Sequence, residues 1–148
     1  QAPVVTAAAP APAGAPLLAT TQLYYDNGGG IRDSTAMVVR DAQAYAALWL
    51  RATSGQKAPP PAQPVDFAHE MVLAVGAGRM TPDDQIHVDS VSVQRHAGQG
   101  AAAVAFVTVT QGCGRFQADA YPLEIVRVRR FDGPVRFAVQ RVRAGGCS

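Results

Sequence analysis

A chain of 148 residues, 48% hydrophobic and 16% charged, is long enough to close one core and too short for two ordinary domains. Its net charge of +2 gives no footing for nucleic-acid binding by charge alone. No run approaches the roughly 18 apolar residues that a transmembrane helix needs. Two cysteines, Cys113 and Cys147, are too few for a zinc cluster.

Residues 1–20 read as an Ala/Pro-rich leader. Gln1 to Ala19 carries no charge and holds Pro3, Pro10, Pro12 and Pro16, a density that opposes helix and ladder pairing alike. The leader is therefore expected to be disordered or extended and removable without loss of the fold, leaving 21–148 as a single domain. It lacks a basic start followed by a continuous apolar run, so it is not itself a signal peptide. An Ala/Pro stretch ahead of a folded domain fits what remains after an exported protein is processed, which points to the periplasm or the cell exterior. A lipid anchor upstream of Gln1 would not show in these residues.

From Thr21 onward the pattern is mostly strand. Gln22 to Tyr25 runs into Asp26-Asn27-Gly28-Gly29-Gly30, and Asn-Gly is a strong hairpin signal, so Ile31 to Arg40 is expected as the return strand. The period then changes: Asp41 suits an N-cap, and Tyr45, Leu48, Trp49 and Ala52 fall on one helical stripe. This predicts an amphipathic helix near 41–53, stopped by Ser54-Gly55. Gln56 to Pro64 is a proline-rich connection expected to run exposed, as polyproline II. Met71-Val72-Leu73-Ala74-Val75 is a short continuous apolar run, the pattern of a central strand buried on both faces. Ile86 and Val88 share one parity and Val91 and Val93 the other, which a bulge near Asp89-Ser90 reconciles. Gly98-Gln99-Gly100 turns the chain and Val104 to Val109 returns it.

Pro122 to Arg130 and Val135 to Arg143 are expected to form a last hairpin through the loop Phe131 to Pro134, with Arg130 opposite Val135. That register pairs Val128 with Phe137, Val126 with Val139 and Glu124 with Arg141 on an inner face, the last as an ion pair. It leaves Arg127, Arg129 and Arg136 together on the outer face. Like charges directly opposed cost stability, and arginine's planar fork suits carboxylates and phosphates. These three arginines are therefore the candidate docking site for an acidic protein partner or an anionic envelope polymer. The whole predicts an α+β domain, mainly antiparallel β with about seven strands and one helix, a β-sandwich being the alternative.

Motifs that carry catalysis are missing. His69-Glu70 opens like a zinc-protease helix, but Leu73 stands where a second histidine is needed. His69, His87 and His96 have no ligand spacing, and no catalytic, metal or cofactor residues are assigned. Asp83, Asp84 and Asp89 lack the spacing of a calcium loop. Thr81-Pro82-Asp83-Asp84 reads instead as a turn. Export and an isolated cysteine pair predict a Cys113–Cys147 disulfide tethering the chain's end to a loop. Closing about 34 residues contributes roughly 3–4 kcal/mol. The competing reading, a thiol hydrolase with Cys113 as nucleophile, requires a reduced thiol and a placed base.

The order of these features resembles a family. Pro64-Val65-Asp66-Phe67, Glu70-Met71-Val72-Leu73-Ala74-Val75, the helix with Trp49, Tyr121-Pro122 and Val128-Arg129-Arg130 are similar to the PrcB-type protease-complex subunits of bacterial envelopes. The resemblance covers roughly residues 30–140. It departs at Arg79 to Ile86, where family members usually carry a glycine pair and an aromatic. The resemblance implies a non-catalytic interaction module of the envelope, in some members an accessory or assembly subunit of a secreted protease. A protease inhibitor presenting a loop is the alternative of the same class.

Overall fold

The computed structural model describes residues 4–7, 15–96 and 98–147. Nine strands and one helix follow one another among them: β1 (Val4–Ala7), β2 (Leu17–Leu18), β3 (Thr20–Asp26), β4 (Ser34–Val39), α1 (Ala42–Ala52), β5 (Glu70–Ala77), β6 (Gln85–His96), β7 (Gly100–Gln111), β8 (Leu123–Arg129) and β9 (Val135–Arg143). They form a four-stranded sheet, β3-β8-β5-β4, and a five-stranded sheet, β1-β9-β7-β6-β2. The domain is thus mostly β with a single helix, and its two sheets share a core.

The layering follows from the strand β5. Met71, Leu73, Val75 and Ala77 point toward the five-stranded sheet, where they meet Val91, Val107 and Phe137. Val72 and Ala74, of opposite parity, point to the other side and pack with Tyr45, Leu48 and Trp49 of α1. Since successive strand side chains face opposite ways, an unbroken apolar run needs a cover on each face. One cover is a sheet, the other the helix.

The helix is built as its stripe predicts. Asp41 caps it, its side chain accepting from Ala44 N at 2.8 Å, and Tyr45, Leu48, Trp49 and Ala52 are its buried residues. Its aromatic residues also hold the proline-rich connection: Trp49 Nε1 donates to Pro60 O at 2.9 Å and Tyr45 Oη to Gln63 O at 2.8 Å. The β6–β7 pair is antiparallel, with its register shift between Val88 and Ser90, where the parity change requires a bulge.

Three expectations are corrected. The Asn27-Gly28 stretch does not close a hairpin, because β3 and β4 are the two opposite edges of the four-stranded sheet. The connection crosses the sheet below the end of α1, where a Cβ on Gly30 would lie 2.1 Å from Ala52 O. The last hairpin does not exist either. β8 pairs with β3 and β5, whereas β9 joins the other sheet in parallel with β7 and β1. Val126, Val128, Val135 and Phe137 do face inward, but they meet across the sandwich rather than along a ladder. Arg40 fastens this crossing between sheets, its Nη2 donating to Phe131 O at 3.1 Å and Gly133 O at 2.8 Å.

The third correction concerns the expectation that the leader's prolines oppose ladder pairing; residues 1–3 and 8–14 of the leader lie outside the described residues. Val4–Ala7 pairs with Arg136 to Val139, and Leu17–Leu18 with Ser92 and Val91, so the leader lends a strand to each edge of the five-stranded sheet. Proline's missing donor is tolerated here because Pro16 uses its carbonyl, which accepts from Val93 N at 3.0 Å. A chain beginning at Thr20 should therefore lose about 1–3 kcal/mol, a drop of roughly 3–10 °C in Tm. Thermal unfolding checks this, and an unchanged Tm would show that β1 and β2 add nothing to the fold.

Candidate functional site

The strands β7 and β8 are joined by a loop that the structure holds at both ends. Near its start, Cys113 is bonded to Cys147, with Cα atoms 5.3 Å apart and a sequence separation of 34. Both thiols are consumed, so the reading of Cys113 as a nucleophile loses its nucleophile. At its far end Ala120 and Met80 exchange backbone hydrogen bonds of 3.0 and 2.8 Å.

The acidic turn Thr81 to Asp84 clamps the same loop. Asp84 N donates to Thr81 O at 3.0 Å, closing the turn expected from the sequence. The Asp84 carboxylate is 8% exposed and accepts from Thr81 N at 2.7 Å and from Gly112 N at 2.8 Å. Asp83 Oδ2 accepts from Gly114 N at 3.0 Å. The fit is close enough that a Cβ on Gly112 would lie 2.5 Å from Asp83 O. The turn within Arg79 to Ile86 is thus the one that grips the disulfide loop. Hydrogen bonding from the Thr81 hydroxyl, with Arg115 and Gly114 amides adding, holds the Asp83 carboxyl below its ordinary range. Between the anchors, Gly114 to Asp119 is exposed and without regular secondary structure. Phe116 is 58% exposed there, directly after Arg115.

A second polar group lies inside the sandwich. Glu124 is 3% exposed, on the inward stripe of β8. Its Oε1 accepts from Val88 N at 2.7 Å, and its Oε2 meets Gln22 Nε2 at 2.7 Å and His87 Nδ1 at 2.8 Å. Tyr25 Oη accepts from Ile86 N at 3.0 Å and its ring stacks on His87 with centroids 5.0 Å apart. Burial pushes the Tyr25 hydroxyl's pKa up, the Glu124 charge adding to it and the Ile86 amide opposing it. The hydroxyl therefore stays neutral. Two side chains of one sheet thus satisfy amides on the edge of the other, which would cost free energy if left unpaired in the interior. The expected Glu124–Arg141 ion pair is replaced by this network, since β8 and β9 are not neighbours.

The arginine face is not assembled. Arg127 and Arg129 share the parity of Leu123 and Ile125, which pack with α1, on the outer side of the four-stranded sheet. Arg136 has the parity opposite to Val135 and Phe137, on the outer side of the other sheet. The two groups lie on opposite faces of the sandwich. Arg127 is also engaged, with Nε 3.0 Å from Glu70 Oε2 and Nη1 donating to Pro64 O at 3.3 Å. Arg129 and Arg136 are exposed. His69 pairs with Asp66 at 2.7 Å, and the side chain of His96 lies outside the described residues. Comparison with protein-family models, with curated proteins and with solved structures found no match to this chain.

Replacing Glu124 by Ala should cost roughly 2–4 kcal/mol, because the buried Val88 amide loses its acceptor. Glu124→Gln keeps an acceptor and should cost less. Denaturant unfolding of both variants checks the order, and equal stabilities would place the network in the solvent.

The lowered pKa of Asp83 adds a pH term of known sign: its contribution is present above the ordinary carboxylate range and is lost as pH falls through the depressed folded value. Acidification below pH 4 should therefore loosen the loop, read as a loss of Gly114 amide protection relative to its intrinsic exchange rate, whereas protection in Asp83→Asn should change less with pH. Equal pH dependence would remove Asp83 from the clamp.

Proposed function

We propose that this domain is a non-catalytic protein-binding module working outside the cytoplasm, and that it presents the loop Gly114 to Asp119 to an envelope or secreted partner. The disulfide is compatible with such a location, and no helix among the described residues is long and apolar enough to cross a membrane. The single observation that carries the reading is the loop's construction. A disulfide, two carboxylates and a backbone bridge fix its ends, while its middle exposes an aromatic beside an arginine. Fixing a loop beforehand lowers the entropy lost on binding, and aromatic and arginine side chains are the usual anchors of protein interfaces. Phe116 belongs to neither core cluster.

The likeness in element order to PrcB-type subunits supports a protease as the partner, with the domain as its accessory or assembly subunit. The inhibitor reading belongs to the same loop: an exposed Arg-Phe step following a disulfide-bonded cysteine could lie in a protease's substrate cleft.

Immobilised domain and its Arg115→Ser/Phe116→Ala variant, exposed in parallel to envelope extract, test the proposal. The native domain should retain a partner that the variant loses, with the variant's Tm unchanged within about 2 °C, as expected for surface positions. Identical retention would sink the loop as the contact. Titration of trypsin and chymotrypsin separates the two versions. Stoichiometric inhibition with the loop uncut identifies an inhibitor, and no inhibition leaves the accessory subunit.

A further inference from the structure

Among the described residues the two sheets differ by one strand, five against four. A cleft of about 450 Å³ opens between the sheets where Ser34 to Ala36 of β4 lie across from Val139 and Arg141 of β9. Past β9, the five-stranded sheet continues with β1, whereas among the described residues nothing continues the four-stranded sheet past β4. An edge strand leaves alternate N–H and C=O groups of Ser34–Val39 without ladder partners.

The cleft opens where the inward stripes of β4 and β5 carry alanines. The inward stripe of the sandwich is filled by Met71, Leu73 and Phe137 near its middle, but by Ala36 and Ala77 at this end. The inward stripe of β9 runs Val135, Phe137, Val139 and then Arg141. An arginine thus stands at the mouth of an apolar cleft, exposed, with no ion pair or side-chain hydrogen bond to any described residue. Its counterpart in the four-stranded sheet, Glu124, is engaged with β6.

We propose that this cleft is a second binding site, independent of the disulfide loop, and that it takes the C-terminal end of an extended polypeptide with an apolar last residue. The guest adds to β4 as a fifth strand, its alternate side chains enter the cleft, and its terminal carboxylate meets the Arg141 guanidinium. Every neighbour pair in the four-stranded sheet is antiparallel. Antiparallel addition to β4 carries the guest from the Val39 end to the Ser34 end, so its last residue arrives beside Arg141. Backbone pairing supplies affinity, the cleft selects the apolar side chain, and the arginine fork reads the carboxylate in both charge and shape.

The test uses the full oxidised chain and ten-residue Gly/Ser-rich peptides ending in Thr-Val, Thr-Leu or Thr-Phe, each with a free and an amidated C-terminus. At least one free-carboxylate peptide should bind and slow amide exchange within Ser34–Val39. Amidation and Arg141→Ala should each weaken it about tenfold or more, without adding to one another in combination. Ala36→Trp, which fills the cleft, should abolish binding.

Free and amidated peptides that bind alike, with no effect of Arg141→Ala, would overturn the carboxylate assignment. Binding that leaves the Ser34–Val39 amides unchanged would overturn strand addition. If none of the peptides binds, or if dodecanoate binds and they do not, a peptide guest is overturned. Arg141 is exposed and outside the core, so its variant should fold. Neither result bears on capture through Phe116.

Discussion

Everything in this fold answers to the two-sided burial of β5. An apolar strand with no polar face cannot lie at a surface, so it calls for a layer on each side, and the chain supplies layers of different kinds. The helix is narrow, and its Tyr45, Leu48 and Trp49 cover only the β5 side chains of one parity. The opposite parity needs a wider cover, which β6, β7 and β9 provide. The departure of β9 from its chain neighbour β8 follows from this demand. A β8–β9 hairpin would enlarge the sheet that already has a helix on it and leave Leu73 and Val75 facing fewer partners.

Packing two sheets face to face buries backbone edges as well as side chains, and the polar residues of the interior are found where that happens. Glu124 and Tyr25 answer amides on the β6 edge, Arg40 answers carbonyls in the crossing from β8 to β9, and Asp84 answers an amide at the end of β7. Each acts between elements far apart in sequence. The Glu124 bond to Val88 is the most exacting, since removing the carboxylate leaves that amide buried without a partner. Apolar contact sets the layers, and these bonds set their relative position.

The two regions proposed to bind partners are places where this construction stops. The β7–β8 loop leaves the sandwich after the last ladder pair and is fixed by a covalent bond and carboxylates instead of a core. The cleft beside β4 lies where small side chains fail to fill the space between the sheets. The first presents rigid side chains outward, and the second offers an apolar recess with an open backbone edge. They suit different ligand shapes for that reason.

Local features were legible in the sequence because their causes are local. The stripe at Tyr45, Leu48, Trp49 and Ala52 gave α1, the parity change at Asp89-Ser90 gave the bulge, and the unbroken run from Met71 to Val75 gave a central strand. Inward parity was also right for Val126, Val128, Val135 and Phe137. Parity, however, states only which side of a strand faces the core. It is the same whether the facing residue sits on a ladder neighbour or on a second sheet, and so the absence of a β8–β9 hairpin was not legible. The dispersal of Arg127, Arg129 and Arg136 over opposite faces follows from that one choice. The leader's pairing was hidden for a related reason, because an edge strand needs only a few free donors and acceptors and no apolar alternation of its own. Tertiary structure alone decided which strands lie side by side, because that depends on how two complete sheets share one core.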